Sequence, residues 1–400
     1  MPLIQAPTQQ LIKLQLARDL TRTIKRGHAW VYREALRELP VAAPGTRAIL
    51  LDNRGGKEIA RGYYDPDGSI ALRICSTDPH ESLDERWAET KMSLGLSLRQ
   101  ATFDENTSGY RLFNGEGDGL PGLVCDIYSQ FAGVQFDGIA SENFWDVQGI
   151  GEWLNTNQGI ESVFLKRKSH KGRETEVIFG KTPSQPVSFL ENGIKFTADL
   201  ITGQKTGFFF DQRDNRARIK RLTANKDVLN AFGYTGGFSV YSGLSGAKHV
   251  TTVDQAKPAL ETAEQHWALN KLDSKKHKLI TADVFEFLDT AVKENQQWDL
   301  IILDPPSFAP SESALPKALR AYQKMVMLGA KSTRRNGFLA VSSCSSHVTQ
   351  AQFTQTCEEG ISKARRKATV IGIYGLPPDH PTPLVMPELR YLKFLILQLD

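Results

Sequence analysis

Cys344 sits inside the run Ser342-Ser343-Cys344-Ser345-Ser346, and Asp304 opens the turn Asp304-Pro305-Pro306-Ser307-Phe308. Each follows a short apolar run, Phe338 to Val341 and Leu300 to Leu303, so each is expected at a strand tip. A free cysteine is more often a buried filler than a nucleophile, but a serine-rich surround is not core-like. It favours a reactive thiol whose thiolate is stabilised by hydrogen-bond donors and a nearby cation. A thiolate that adds to carbon 6 of a pyrimidine turns carbon 5, ordinarily a poor nucleophile, into an enamine carbon able to attack an electrophilic methyl group. Asp304 is expected to bond the ring-nitrogen side and carry part of the developing charge. Pro305 and Pro306 fix φ and make a rigid wall with free carbonyls beside a flat base, on which Phe308 could stack. The plainer reading of that turn is a proline-stiffened loop end with Phe308 in the core.

A second constellation precedes it. Asn230-Ala231-Phe232-Gly233-Tyr234-Thr235-Gly236-Gly237-Phe238 ends one apolar run, and Asp254 ends the next, about 20 residues on, where an acid can accept from ribose hydroxyls. The glycine pattern alone is weak, because it does not match G-x-G-x-x-G and a tight structural turn explains it as well. Asp283, followed by Val284, ends a third run and can meet an adenine amino group, although singly it could also be a helix N-cap. Acids at successive strand tips are where open α/β sheets place ligands. Together with the Asp304 turn, the set resembles class I S-adenosylmethionine-dependent methyltransferases. That resemblance implies S-adenosylmethionine held by Phe232, Gly233, Tyr234, Thr235, Gly236, Asp254, Asp283, Val284 and Asp304.

The elements that must position these residues alternate along the chain. Short apolar runs at Val228 to Ala231, Val250 to Asp254, Leu279 to Ala282, Leu300 to Leu303, Phe338 to Ser342, Val370 to Tyr374 and Leu392 to Leu399 are separated mostly by helical stretches. Such alternation predicts a mainly parallel, doubly wound sheet. The last two runs are joined by a segment holding five prolines, Pro377 to Pro387, which predicts a terminal antiparallel pair. Earlier, strand-like runs at Ala48 to Leu51, Glu58 to Tyr64 and Ile70 to Cys75 make a small β-rich module. Ser82 with Glu85 has the form of a capping box, with Leu83, Trp87, Leu94 and Leu98 close to one face of the helix that follows. Leu123 to Tyr128 and Phe131 to Phe136 read as a hairpin after the turn-dense Gly115 to Gly122.

The chain has 400 residues, 40% hydrophobic and 24% charged, with mean hydropathy −0.34 and no apolar run near the roughly 18 residues a membrane helix needs. No secretory leader is evident at its start, so a cytoplasmic location is expected. Cys75, Cys125, Cys344 and Cys357 form no CxxC pair, which predicts reduced thiols and no metal site. A net charge of +4 is too small to prove nucleic-acid binding. Local clusters say more: Lys166, Arg167, Lys168, Lys171 and Arg173 crowd one stretch, and Lys363, Arg365, Arg366 and Lys367 another. Each is as well read as a solvated surface.

Four segments together look like the large-subunit ribosomal RNA cytosine carbon-5 methyltransferases of the RlmI type. They are Thr206 to Arg216 (Thr-Gly-Phe-Phe-Phe-Asp-Gln-Arg-Asp-Asn-Arg), Phe232 to Phe238, Leu303 to Phe308 and Ser343-Cys344-Ser345. Arg26-Gly27-His28-Ala29-Trp30-Val31-Tyr32 is similar to their PUA RNA-binding domain, with Ala29 where that family usually has proline, and Gly115 to Gly122 resembles a middle-domain motif. The resemblance implies Cys344 as nucleophile and Asp304 beside it. It also implies Phe210 and Arg213 among the cofactor contacts, with Asp211 to Arg216 closing over the methyl donor, and ribosomal RNA as partner. Pro305, Pro306, Phe308 and the Lys166 to Arg173 cluster would meet that RNA. Pro306 and Ser307 stand where many other RNA cytosine methyltransferases carry a second cysteine, so only a one-thiol mechanism is supported.

The expected fold is α/β, a Rossmann-like class I methyltransferase sheet with a terminal antiparallel strand, preceded by a β-rich PUA domain and an α+β middle domain. The domains are expected at 1–76, 77–186 and 187–400. Neither a membrane nor a metal is an expected partner, and a homodimer is left open. Two rival functions remain at this point: methylation of an exocyclic amino group at the Asp304 turn, which needs no thiol, and a non-catalytic RNA-binding assembly factor.

Overall fold

The computed structural model describes residues 1–7, 10–169, 172–201, 203 and 207–400, with backbone only at 168, 169, 172 and 173. Contacts divide the chain into two compact units. One holds Met1–Gly193, Thr197–Phe210 and Pro378–Pro387; the other holds Ile194–Phe196, Asp211–Pro377 and Glu388–Asp400.

The first unit contains two five-stranded sheets. The N-terminal sheet runs in the order Ile12–Gln15, Arg47–Leu51, Glu58–Tyr64, Ile70–Ser76, Trp30–Tyr32, with only its first pair parallel. The second sheet runs Gly172–Phe179, Ser162–Ser169, Phe131–Phe136, Leu123–Tyr128, Gly109–Asn114. Phe131–Phe136 and Ser162–Ser169 pair in parallel, and the helix Val147–Gln158 lies between them in sequence. The hairpin expected at Leu123 to Phe136 is present. The turn after Asn114 joins the sheets: Glu116 accepts from the Trp30 indole at 2.7 Å and pairs with Arg73.

The helix Glu85–Thr102 differs from expectation at its start and on its face. Its N-cap is Asp84, which accepts from the Trp87 amide at 3.1 Å. Ser82 and Glu85 make no capping box, because the Glu85 carboxylate accepts from the Leu3 amide at 2.7 Å. Leu94 and Leu98 are exposed, and the buried face is Trp87, Ala88, Met92, Gly95 and Arg99. Arg99 is buried in an ion pair with Asp118, which lets a charged side chain rather than the neighbouring Leu98 face the interior.

The second unit is built on a seven-stranded sheet: β1 (Asp227–Ala231), β2 (His249–Asp254), β3 (His277–Thr281), β4 (Trp298–Leu303), β5 (Thr333–Ser343), β6 (Ala368–Tyr374) and β7 (Lys393–Leu399). Spatial order is β3-β2-β1-β4-β5-β7-β6. The first five are parallel to one another, while β7 is antiparallel to both β5 and β6, so the expected terminal antiparallel pair is present. The helices are α1 (Arg213–Lys220), α2 (Gly237–Leu244), α3 (Lys257–Leu269), α4 (Val284–Lys293), α5 (Leu315–Ser332) and α6 (Gln350–Lys363). Central strands such as β4, with Leu300, Ile301, Ile302 and Leu303 buried, are apolar on both faces because helices cover both sides.

Register aligns the site. Ala231 pairs with Val253 and Leu303, and Leu303 pairs with Val341, so Phe232, Asp254, Asp304 and Ser342 emerge together at one edge of the sheet. Because β7 runs the other way, its first residue, Lys393, reaches the same edge opposite Ser343.

Candidate active site

The turn after β1 is tightly held and strained. Phe232 and Tyr234 both adopt left-handed backbone, with φ of 59° and 46°, a conformation that costs a non-glycine residue about 1–3 kcal/mol and concentrates at functional sites. The Gly233 amide donates to the Val253 carbonyl at 3.0 Å, and the Tyr234 amide donates to Asp254 Oδ2 at 2.9 Å. Asp254 Oδ1 accepts from the Ala256 amide at 2.8 Å. Below the turn a buried polar chain links Asn230, Ser239 and Thr252, and His277 Nε2 lies 2.8 Å from the Thr252 hydroxyl. Burial pushes the His277 imidazole down to about 4.

The glycines serve packing as well as approach. A Cβ at Gly233 would lie 2.4 Å from the Thr252 methyl, and one at Gly236, whose φ is +77°, would lie 2.7 Å from Ala263 Cβ. Thr235 offers its carbonyl to the His266 ring at 2.8 Å.

S-adenosylmethionine presents an adenine, a ribose diol and a cationic sulfonium, and the residues at this edge fit it. Each Asp254 oxygen uses one acceptor position on a backbone amide and retains another for a hydroxyl. Phe232 and Phe285 are half-buried with ring centroids 6.2 Å apart and offer an apolar wall for a flat ring. Asp283 also does what its alternative reading stated: it caps α4 by accepting from the Glu286 amide at 3.0 Å. Val284 is buried in the first turn of that helix. Phe210 packs in the first unit against Tyr128, Phe189 and Phe208. Arg213 is buried at the start of α1.

Asp304 stands at the tip of β4. Gln212 Nε2 donates to its Oδ1 at 2.8 Å, and the Gln212 carbonyl oxygen accepts from Asn215 Nδ2 at 2.6 Å. Burial pushes the Asp304 carboxyl up to about 6, against the hydrogen bonds of Ser342 and Gln212, which hold it lower than burial alone would. Pro305 is buried and its carbonyl accepts from Cys344 Sγ at 3.8 Å. Pro306 is exposed. Phe308 packs on Tyr322 at 4.8 Å and near Phe285 and Phe232 at 6.1 and 6.4 Å, so its ring helps anchor the turn, as the plainer reading of the motif has it.

Cys344 is half-exposed, whereas Cys75, Cys125 and Cys357 are buried, with their thiols pushed up by burial. The flanking serines are engaged elsewhere. Ser342 accepts from Gln212, Ser343 donates to the Tyr322 hydroxyl at 3.0 Å, and Ser345 lies 3.0 Å from Ser307. The backbone after Cys344 is held by Lys393, whose ammonium donates to the Ser345 carbonyl at 2.5 Å and the Tyr391 carbonyl at 2.8 Å. Burial pushes that ammonium down to about 8, and the Cys344 thiolate pushes it up. Sequence reading missed Lys393 and named Gln212 only as part of the Asp211 to Arg216 segment, without its bond to Asp304. The available signal for Lys393 was one charged residue opening an otherwise apolar strand, Lys393-Phe394-Leu395-Ile396-Leu397.

The basic clusters are partly corrected. Lys166 is 3% exposed and donates to the Gly203 carbonyl, because its position on Ser162–Ser169 faces inward. Arg167 pairs with Glu142 and Glu176. Lys171 lies outside the described residues, as do the side chains of Lys168 and Arg173. Arg366 binds Asp400 and the Ala330 and Thr333 carbonyls, which makes it a structural clamp. Among the described residues no helix is long and apolar enough to cross a membrane, and no group of three or more His, Cys, Asp or Glu is placed to hold a metal.

Comparison with known proteins agrees with this fold. Residues 149–329 match the family described as S-adenosylmethionine-dependent methyltransferase, and residues 14–77 match the PUA-like domain. A curated ribosomal RNA large subunit methyltransferase of Deinococcus radiodurans is 35% identical, over 97% of this chain and 98% of its own. Ribosomal RNA large subunit methyltransferase I of Alteromonas mediterranea is 34% identical, over 96% and 98%. Among solved structures, a SAM-dependent methyltransferase from Streptococcus mutans superposes with TM-score 0.83 at 24% identity, covering 97% of this chain and all of that one. A methyltransferase complexed with SAH gives the same score and identity, over 98% of this chain and all of its own. The chain therefore belongs to the ribosomal RNA large subunit methyltransferase I family and is an S-adenosylmethionine-dependent methyltransferase with a PUA-like domain.

Proposed function

We propose that the protein methylates carbon 5 of a cytosine in large-subunit ribosomal RNA through a covalent Cys344 adduct. The observation that carries this reading is the convergence at one sheet edge of a half-exposed thiol, the Asp304 carboxyl and the buried Lys393 ammonium. Relatives named for large-subunit ribosomal RNA support the substrate class.

S-adenosylmethionine held at this edge would supply an electrophilic methyl group and leave as S-adenosylhomocysteine. Cys344 Sγ, as thiolate, adds to carbon 6 of the base, and the ring electrons move toward carbon 5, which takes the methyl group. The proton on carbon 5 then leaves to a base, the Cys344 sulfur–carbon bond breaks, and the ring double bond returns. Asp304 faces the ring-nitrogen side; with its carboxyl pushed up to about 6, it can hold or share a proton there as charge develops. Before it ionises, the resting thiol donates to the Pro305 carbonyl, 3.8 Å from Sγ, which sets the direction of the sulfur. Asp254 would bind the ribose diol, with Phe232 and Phe285 beside the adenine.

Within this reading, residues 1–76 and the basic stretch after Lys166 contribute RNA affinity, residues 77–186 form a middle domain, and the chemistry belongs to residues 187–400. Phosphate contacts position a substrate while contacts to the base decide which one reacts. The test is mass mapping of modified nucleotides in large-subunit ribosomal RNA from cells with and without the protein. One cytosine should lose a methyl group at carbon 5 when the protein is absent. A methyl lost instead from an exocyclic nitrogen would place the chemistry at the Asp304 turn without the thiol.

A further inference from the structure

Lys393 is a charged side chain with 2% exposure at the start of a strand flanked on both sides by other strands. Nothing in sheet formation calls for a cation there, and removing an ammonium from water is costly unless its charge is used. It stands opposite Ser343 in the β5–β7 register, next to Cys344. Its ammonium donates to the Ser345 and Tyr391 carbonyls, the first of them in the loop that carries the thiol. Tyr391 is itself fixed, its hydroxyl donating to Asp211 Oδ2 at 2.8 Å.

We propose that Lys393 is a positioning residue that holds Cys344 in its thiolate form and fixes the loop that aims the sulfur. The inference rests on the reading of Cys344 as nucleophile. Ionisation releases the thiol proton to water while Lys393 keeps its own. The titratable and charged groups facing this corner are Asp304 at the tip of β4, Tyr322 on α5, Asp211 and Arg216 beside Asp304, Tyr391 before β7, and Lys393. Asp304 and Tyr322 disfavour a second negative charge when ionised. Lys393 is the cation that donates into the Cys344 loop itself. Its own lowered proton affinity agrees with this role, because at neutral pH it remains charged and is held so by the thiolate.

The experiment is alkylation of the full chain by iodoacetamide across pH, with Cys344 followed by peptide mass mapping, in the wild type, Lys393→Met and Lys393→Arg. S-adenosylmethionine binding checks that each variant is folded. Lys393→Met should slow Cys344 alkylation roughly tenfold or more at neutral pH, one unit of thiol pKa being tenfold in thiolate, and should converge with the wild type at high pH. Lys393→Arg, which keeps the charge, should stay close to the wild-type profile. Superimposable profiles for the wild type and a folded Lys393→Met would overturn the proposal. If Lys393→Met does not fold, nitrogen NMR of the Lys393 ammonium decides: its titration should move down in Cys344→Ala, and an unmoved titration would also overturn it. If the profile shifts but the wild type forms no adduct with RNA carrying 5-fluorocytidine, the pairing stands and the carbon-5 reading fails.

Discussion

Gln212 Nε2 donates to both Asp304 Oδ1, at 2.8 Å, and Ser342 Oγ, at 2.9 Å, so one buried amide ties the start of α1 to the tips of β4 and β5. Its hydrogen bond to Asp304 opposes the burial that raises that carboxyl. Gln212→Ala should therefore push the Asp304 pKa above about 6 and move the limb of the kcat profile set by Asp304 upward in pH. Loss of the buried contacts should lower stability by about 1–3 kcal/mol. A pH–rate profile and a denaturation curve check both, and a profile with no limb moved would separate Gln212 from the Asp304 ionisation.

Asp304 is held at a cost to the fold. Its pKa is raised to about 6 in the folded protein against 3.8 in the unfolded chain. The folded state therefore binds more protons between those values, so its contribution is unfavourable above about 6 and fades as pH falls toward 3.8. A shift of that size is at most about 3 kcal/mol, and partial exposure reduces it. Asp304→Asn should abolish turnover while stabilising the protein by about 1–2 kcal/mol at pH 7, a gain that should shrink toward pH 4 in urea denaturation.

His277 works in the opposite sense. Burial lowers its pKa to about 4, from 6.5 in the unfolded chain, so the unfolded chain takes up a proton first as pH falls. Stability should drop by about 2–3 kcal/mol between pH 6.5 and 4 through this group. His277→Gln should flatten that slope, although the loss of stacking on Trp267, 4.2 Å between centroids, lowers stability at every pH. A variant as acid-sensitive as the wild type would assign the slope to other groups.

Much of this architecture was legible in the residues. All seven strands of the second unit overlap the apolar runs read from the sequence: the central ones because strands covered on both faces must be continuously apolar, with the helices between them forcing parallel pairing, and the edge strand β6 although Val370, Ile371 and Ile373 are exposed. Asp254 and Asp304 were legible because a polar residue that ends such a run has to emerge at the sheet edge. Lys393 was not, since it belongs to no local motif, and Gln212 was legible only as a member of the Asp211 to Arg216 segment, its partners Asp304 and Ser342 being far away in sequence. Lys393 reaches the loop after Cys344 through antiparallel pairing of strands distant in sequence. Lys166 and Leu94 misled for a shared reason: residue type suggests a face, but Lys166 points inward and Leu94 outward once the strand and helix are placed.

Asp254→Ala should weaken S-adenosylmethionine binding by about 1.5–3 kcal/mol, the usual scale for a hydrogen bond to a charged group. The loss of the anchor for the Tyr234 amide adds to the effect by loosening the strained turn. Calorimetry reads the affinity, and unchanged binding in a folded variant would mean that the cofactor lies differently along the sheet edge.

The central claim is the covalent role of Cys344. RNA carrying 5-fluorocytidine at the target position should trap the enzyme, because fluorine on carbon 5 does not leave as a proton does and the final elimination stalls. The measurement is the denaturant-resistant protein–RNA adduct formed with S-adenosylmethionine present, by the wild type and by Cys344→Ala. The account predicts an adduct mapped to Cys344 in the wild type, and neither adduct nor turnover in Cys344→Ala with S-adenosylmethionine binding retained. A Cys344→Ala enzyme that still methylates its RNA would contradict it.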